Sequence, residues 1–593
     1  MIRADASRLR LALLLAAAAA ALFAGWKLLW FLTDDAYIAF RYISNARLGY
    51  GYVWNAPPFS PVEGYTSFLW VVLLDLVWRV LGVEPPAAAN TLALLFALAT
   101  LALTARMVWR LTWTQERERL RLPLLALTLA GLVSHRTFIT WSSSGLETAM
   151  FNALVAAWVY AAGFLPAGSR RRPLAIAGAA AALCLTRPDG LLFALATLPI
   201  VWLALPGSSV RERARGLWAL APLAVVPTHL LWRRAFYGAW LPNTYYAKYT
   251  GPWPESGWRY AASFVLEYAL WVWLALALAV LLPRWPMLRE RLRAELRGGG
   301  GRDAGSVRAA AKPAASATAP GRGAAATPAS GGPALAWTLV ALALLAHLLY
   351  YTLVIGGDHF EYRVYSHIVP LSLVAFVWML NLARIRPRAS LALMAAAVLL
   401  ALPVPWTHWA QTRRLETREE TFLMRAPVAP HWPAAARWYA RTFDALQDWL
   451  INRFVCVRHQ EHRVLHRFEV ETYPTRAEGS RIGPDGQPVL AELAVGVPAW
   501  VLPRVHIIDL WGLNDHVIAR SDRITAPKRQ MAHDREPPEG YVECFQPNVF
   551  LAGPRRMQVF RREPQLTPQQ IAACEAQWRA WLRQRPTRTR SGG

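Results

Sequence analysis

Long apolar runs recur from Leu11 to Pro405 of this 593-residue chain, and no other feature restricts its fold as strongly. A run of about 20 apolar residues satisfies its backbone internally as a helix and has no need of water, so it crosses a bilayer. Composition agrees: 55% of the residues are hydrophobic, mean hydropathy is positive and 29 residues are Trp. After Pro405 the pattern turns polar and mixed, over a length sufficient for one packed domain. The chain therefore reads as an α-helical polytopic membrane protein over 1–405. A C-terminal α/β soluble domain is expected over 406–585, and a disordered tail over 586–593.

The net charge of +26 is carried mainly by Arg. No nucleic-acid motif accompanies it, so nucleic acid is not the expected partner. Basic loops retained on the cytoplasmic side of a polytopic protein account for the charge. Arg clusters occur at the N-terminus, Arg106–Arg121, Arg170–Arg172, Arg211–Arg215, Arg284–Arg322 and Arg384–Arg388. If all are cytoplasmic, an even number of spans separates each neighbouring pair.

The first interval holds three apolar segments, so one should not cross. Thr66–Leu81 is the weakest, being short and carrying Asp75 and Arg79. At 1.5 Å per residue it falls short of a core about 30 Å thick. It reads as an interfacial helix on the outer surface. About eleven spans remain: 9–32 (an uncleaved first helix rather than a signal peptide), 86–109, 122–140, 146–165, 173–187, 190–206, 216–235, 259–283, 335–355, 366–383 and 389–405. The N-terminus is then cytoplasmic and the C-terminal domain extracytoplasmic. The stretch 284–334, low in complexity from Gly298 to Pro333, reads as a disordered cytoplasmic linker. Cys184 reads as a core residue. Cys456, Cys544 and Cys574 allow one disulfide and leave one thiol, with the pairing open.

The unusual polar residues gather in the outer pieces. Thr33-Asp34-Asp35-Ala36-Tyr37 opens the loop 33–85. Thr33 or Asp34 would cap a following helix whose Ile38, Tyr42 and Ala46 share one face, suggesting an amphipathic interfacial helix. Adjacent helical residues point about 100° apart, so Asp34 and Asp35 should differ in role. One is a candidate general base at the bilayer surface. Gly356-Gly357-Asp358-His359-Phe360-Glu361-Tyr362-Arg363 packs two acids, a His and an Arg at the end of a span, where Arg363 suits a phosphate. Asn243, Tyr246 and Lys248 in Leu241–Lys248 suit sugar stacking and phosphate contact. Arg187 and Asp189 between two spans are costly unless paired or facing a wet cavity. Val505–Asp509 reads as a buried strand, so Asp509 is a candidate fold residue.

Together, Thr33–Tyr42, Val62–Trp70, Arg187–Gly190, Leu241–Lys248, Gly356–His359 and Asp509–Asp515 resemble, in order, segments of the AftB-like and ZomB-like membrane proteins. That resemblance implies a GT-C fold and transfer of a sugar, with a pentofuranose as the candidate, from a polyprenyl-phosphate donor to a cell-envelope glycan on the outer face of the inner membrane. It implies that Asp34 or Asp35 is the catalytic acid of the first outer loop. Arg41, Glu63, Tyr65, Arg187, Asp189, Asn243, Tyr246, Lys248, Asp358, His359 and Arg363 are the expected substrate-binding residues. No cofactor is certain, and a divalent cation is compatible with the reading. Another branch of the same proteins is named for flagellar motor control, so a non-enzymatic membrane role is the alternative. A transporter is disfavoured by the absence of a visible repeat.

The parity argument has a direct check. Cysteines introduced at Tyr50 and at Val83 should both react, above the parental background, with a membrane-impermeant thiol reagent applied from the outer side. Reaction from opposite sides would mean that Thr66–Leu81 crosses.

Overall fold

The computed structural model describes residues 2–584, apart from 167–168, 170, 206–209, 298–333, 423–424, 427, 523–527, 554–557 and 564. The low-complexity stretch from Gly298 and the C-terminal tail thus lie outside the described residues.

Apolar helices dominate the first two-thirds. In order they are α1 (Ile2–Leu28), α2 (Asp34–Arg47), α3 (Phe68–Leu81), α4 (Pro85–Arg110), α5 (Arg121–Ser134), α6 (Arg136–Thr140), α7 (Thr148–Phe164), α8 (Arg171–Thr186), α9 (Leu191–Ala204), α10 (Val210–Arg215), α11 (Val225–Tyr237), α12 (Asn243–Lys248), α13 (Pro254–Glu267), α14 (Trp271–Leu281), α15 (Trp285–Arg297), α16 (Ala334–Leu349), α17 (Ile368–Leu382), α18 (Pro387–Leu400) and α19 (Pro403–Thr412). Every segment expected to span carries helix. Among the described residues, six helices are long and apolar enough to cross a bilayer. The segment 259–283 is not one straight rod: α13 and α14 meet at 92°. The last apolar helix runs on through Thr412, beyond the expected boundary at Pro405. Part of the expected disordered linker is helical, because α15 places Leu288 and Leu292 one turn apart and Glu295 accepts from the N–H groups of Ala334 and Leu335, which open α16.

The C-terminal part contains α20 (Arg418–Phe422), α21 (Ala434–Ile451), α22 (His459–Thr472), α23 (Arg476–Gly479), β1 (Val489–Glu492), α24 (Gly496–Val501), β2 (His506–Asp509), α25 (Tyr541–Cys544), β3 (Val549–Ala552), β4 (Gln558–Arg561) and α26 (Pro568–Gln584). β1 and β2 are parallel, with Val489 opposite His506, and α24 is their crossover; β3 and β4 form an antiparallel hairpin. The strand read at Val505–Asp509 is β2, buried at all four positions. Cys544 and Cys574 are disulfide-bonded, tying α25 to α26, and Cys456 is a buried thiol.

This part has a small core of its own around Val489, Ile508, Tyr541, Phe545 and Trp578, and it shares a second one with the first loop. Leu490, Val497, Trp500 and Ile507 pack in one cluster with Phe40, Tyr42, Trp54, Trp70 and Leu74 of the first loop. In consequence α2 is no amphipathic surface helix. Its residues Ala36 to Asn45 are all buried, because the C-terminal part covers the face expected to meet solvent. Helix α3 is held at both ends: Trp70 Nε1 donates to the Gly145 carbonyl, and Trp78 packs on Trp500. Its Leu76, Val80 and Leu81 are left exposed.

A buried charge cluster joins the two halves. Arg136 of α6 pairs with Glu361. Arg458 pairs with Glu361 at 3.0 Å and bidentately with Glu267 of α13 at 2.7 and 2.8 Å. None of the four side chains is more than 2% exposed. Removing one partner from such a cluster strands a buried charge, at about 3–5 kcal/mol. Arg458→Met should therefore lower Tm strongly in detergent, and Arg458→Lys should recover only part of the loss because a point charge cannot pair bidentately.

Candidate active site between two cavities

The first helix of the outer loop begins where Thr33 caps it, its Oγ1 accepting from Ala36 N at 3.2 Å. That cap sends the next two side chains in different directions. The Asp34 carboxylate turns to the C-terminal part and accepts from the N–H groups of Gly496 (3.0 Å) and Val497 (2.7 Å), the open N-terminus of α24. The fit is close: a Cβ on Gly496 would stand 1.9 Å from the Asp34 carbonyl oxygen. Asp34 is thus a fastening between two halves of the chain. Burial, only partly offset by those two donors, pushes its carboxyl up to about 7. Asp35 points the other way, and among the described residues nothing hydrogen-bonds its carboxylate.

Asp35 stands where two cavities meet. The first, about 210 Å³, is lined by Tyr65, Arg187, Asp189, Tyr245, Asp358 and Arg363, among others. The second, about 250 Å³, is lined by Phe454, His462, Asp509, Trp511 and His533, among others. Asp35, Ile38, Lys248, His359, Leu513 and Ala532 line both.

The first cavity holds three cations in unequal states. Every N–H direction of Arg187 used in the network is spent: Nε faces Asp189, Nη1 donates to Glu147 at 2.8 Å and Nη2 to Tyr351 Oη at 2.7 Å. Asp189 also meets His347 Nε2 at 2.8 Å. Arg363 gives Nε and Nη2 to Asp358 and keeps Nη1. Lys248 has no hydrogen-bond partner among the described residues. Lys248 and Arg363 therefore have donors to spare, whereas Arg187 organises the wall. A π-helical turn over Tyr350–Ile355 ends α16 and brings Tyr350, Tyr351 and Ile355 to the cavity; such turns widen a helix and aim side chains outward.

The segment 358–361 is strapped to 456–458 by backbone bonds, Cys456 N to Asp358 O (2.9 Å) and Val457 N to His359 O (2.7 Å). His359 Nδ1 meets the Phe454 carbonyl at 2.8 Å. A carbonyl only accepts, so Nδ1 carries the proton and Nε2 is an acceptor. Burial holds the ring neutral, pushing its pKa down to about 3.

Four expected binding residues lie off the cavities. Arg41 is fully buried and donates to the carbonyls of Trp54, Ala499, Leu502 and Val505, binding α2 to the C-terminal part. Glu63 pairs with Arg233 of α11. Asn243 donates to the carbonyls of Gly512, Leu513 and Asp515. Tyr246 lies under the Arg520 guanidinium, 3.9 Å away, and its neighbours Tyr245 and Tyr249 line the cavity instead. In each case the side chain is taken up by a partner elsewhere in the chain. Tyr65, Arg187, Asp189, Lys248, Asp358, His359 and Arg363 are brought together. Sequence reasoning missed Glu147, Tyr351 and Trp511. A carboxylate at the mouth of a span was a readable signal only for Glu147. Among the described residues no three His, Cys, Asp or Glu side chains converge to hold a metal ion.

No family model matches the chain, and no curated protein matches it. Among solved structures it is similar to the crystal structure of ArnT from Cupriavidus metallidurans bound to undecaprenyl phosphate, at 13% identity and a TM-score of 0.45, over 94% of this chain and 99% of that one. The apo form of the same protein gives 12% identity and a TM-score of 0.48, over 96% and 99%.

Behind Asp34, Glu469 of α22 is buried, and burial together with the adjacent Asp34 carboxylate pushes it well above the usual carboxylate range. A carboxyl raised on folding contributes stability below its unfolded pKa of about 4.3 and loses it as pH rises toward the folded value. Glu469→Gln, permanently neutral, should thus match the parent in Tm near pH 4 and exceed it by a margin that widens up to pH 8.

Proposed function

We propose that the chain is a polyprenyl-phosphate-dependent glycosyltransferase of GT-C type that transfers by single displacement with inversion. The observation that carries this reading is Asp35, an unpartnered carboxylate at the junction of two cavities, with Lys248 on the same boundary. The motif resemblance to the AftB-like and ZomB-like proteins supports the same class and favours a pentofuranose.

The donor phosphate binds in the first cavity against Lys248 and Nη1 of Arg363. These charges stabilise the lipid phosphate as it leaves, the electrostatic part of catalysis. The sugar lies at the junction. The acceptor hydroxyl approaches from the second cavity, and Asp35 takes its proton as oxygen attacks the anomeric carbon. Inversion is what a single displacement gives: Asp35 acts as the base, and Asp34, held by the N–H groups of Gly496 and Val497, is assigned no nucleophilic role. Arg187 and Asp189 hold the wall through Glu147, Tyr351 and His347. No step is assigned to a divalent cation. The apolar helices suit a multi-pass membrane protein, and the motif resemblance favours the inner membrane. Both cavities lie on the side of the C-terminal part, which the charge pattern assigns to the outer face.

Purified protein in lipid should transfer labelled sugar from polyprenyl-phosphate donors to an envelope glycan. Asp35→Asn should reduce transfer about 10²–10⁴-fold while leaving Tm unchanged, because the side chain makes no hydrogen bond in the fold. Undiminished transfer by Asp35→Asn would refute this site.

A further inference from the structure

The second cavity carries information about the acceptor that the first does not. One wall is aromatic. His533 packs edge-on to Trp511, with ring centres 4.9 Å apart, and at a tilt of 33° to Phe454 at 5.0 Å. Trp511 is only partly buried and lines the cavity.

Its loop is locked from two directions. The Asp509 carboxylate accepts from the N–H groups of Trp511 (3.0 Å), Gly512 (3.2 Å) and Asn514 (2.9 Å). From outside, Asn243 of α12 clamps the carbonyls of Gly512, Leu513 and Asp515. Gly512 has φ +77°, and a Cβ there would approach Ala519 N to 2.7 Å. The helix that supplies Asn243 also supplies Lys248, so the loop is fixed relative to the reacting centre. A ring held this way is pre-organised, and a ligand that meets it loses little to ordering.

Charge narrows the ligand further. The cavity presents the carboxylates of Asp34, Asp35 and Asp509 against Lys248 and Arg418. Arg418 is already paired with Glu461. With Arg418 committed to Glu461 and Lys248 to the donor phosphate, an anionic acceptor entering here finds the Asp35 carboxylate and no uncommitted cation among the described lining residues. An uncharged ring needs none, and its C–H face complements the negative face of an indole.

We propose that Trp511 is the platform on which an uncharged saccharide ring of the acceptor stacks, so that the sugar is attached to a carbon-bound hydroxyl and not to a phosphate. This inference rests on the transferase reading above.

The test uses full-length protein in lipid, labelled polyprenyl-phosphate sugars, and envelope glycan extracted from a strain lacking this protein as acceptor. Trp511→Ala should raise the half-saturating acceptor concentration about five- to tenfold, with donor half-saturation unchanged, and Trp511→Phe should restore most of it. Mass spectrometry of the product should place the new sugar on a saccharide carbon. Unchanged acceptor saturation in Trp511→Ala, or product carrying the sugar on phosphorus, overturns the platform while leaving the transferase intact, provided Asp35→Asn remains inactive. No transfer by the parent from any donor overturns both.

Discussion

Two arginines and two glutamates, almost wholly removed from water, hold this molecule together. Arg136 comes from the helical bundle, Glu267 from the bent pair, Glu361 from the loop that carries Asp358 and His359, and Arg458 from the C-terminal part. Desolvating four charges is costly, and mutual pairing with good geometry is what offsets it. The arrangement is closed, so each half of the chain is needed to neutralise the other. Because Glu361 lies between His359 and Arg363, the same cluster sets where the site residues stand.

The adjacent acids show how one backbone cap yields two chemistries. Thr33 fixes the start of the helix, and the helical rotation between neighbours does the rest. Asp34 meets two peptide N–H groups and becomes an anchor; Asp35 meets none and stays available. The difference is one of surroundings, since the residue types are identical. Polar residues elsewhere follow the same division. Arg41 and Asn243 are spent on carbonyls of the C-terminal part, whereas Lys248, one turn beyond Asn243, is not.

Much of this was legible in the sequence. Apolar run length marked the helices. The polar clusters in the loops marked most of the cavity walls. What remained hidden was long-range partnership. Nothing near Arg41 reveals that its hydrogen bonds lie at Ala499 and Leu502, and nothing near Asp34 reveals Gly496. The face of α2 looked solvent-exposed because its cover is encoded at the other end of the chain. Tyr246 and Tyr245 are indistinguishable by type, and only the turn of a six-residue helix decides which one lines the cavity. Trp511 was obscured by the 28 other tryptophans of an interfacial protein, from which composition alone cannot single out a ring that faces a cavity.

The shared core of the first loop and the C-terminal part bears on how the protein is made. Arg41 and its acceptor at Ala499 are 458 residues apart. At about 5–20 residues per second, synthesis separates them by roughly half a minute to a minute and a half. Through that interval the loop bearing both aspartates is already made, with its apolar face uncovered. The nascent chain must keep that face from wrong partners until nearly its last residues arrive, and a ribosome that stops early leaves a membrane-inserted protein with no assembled site.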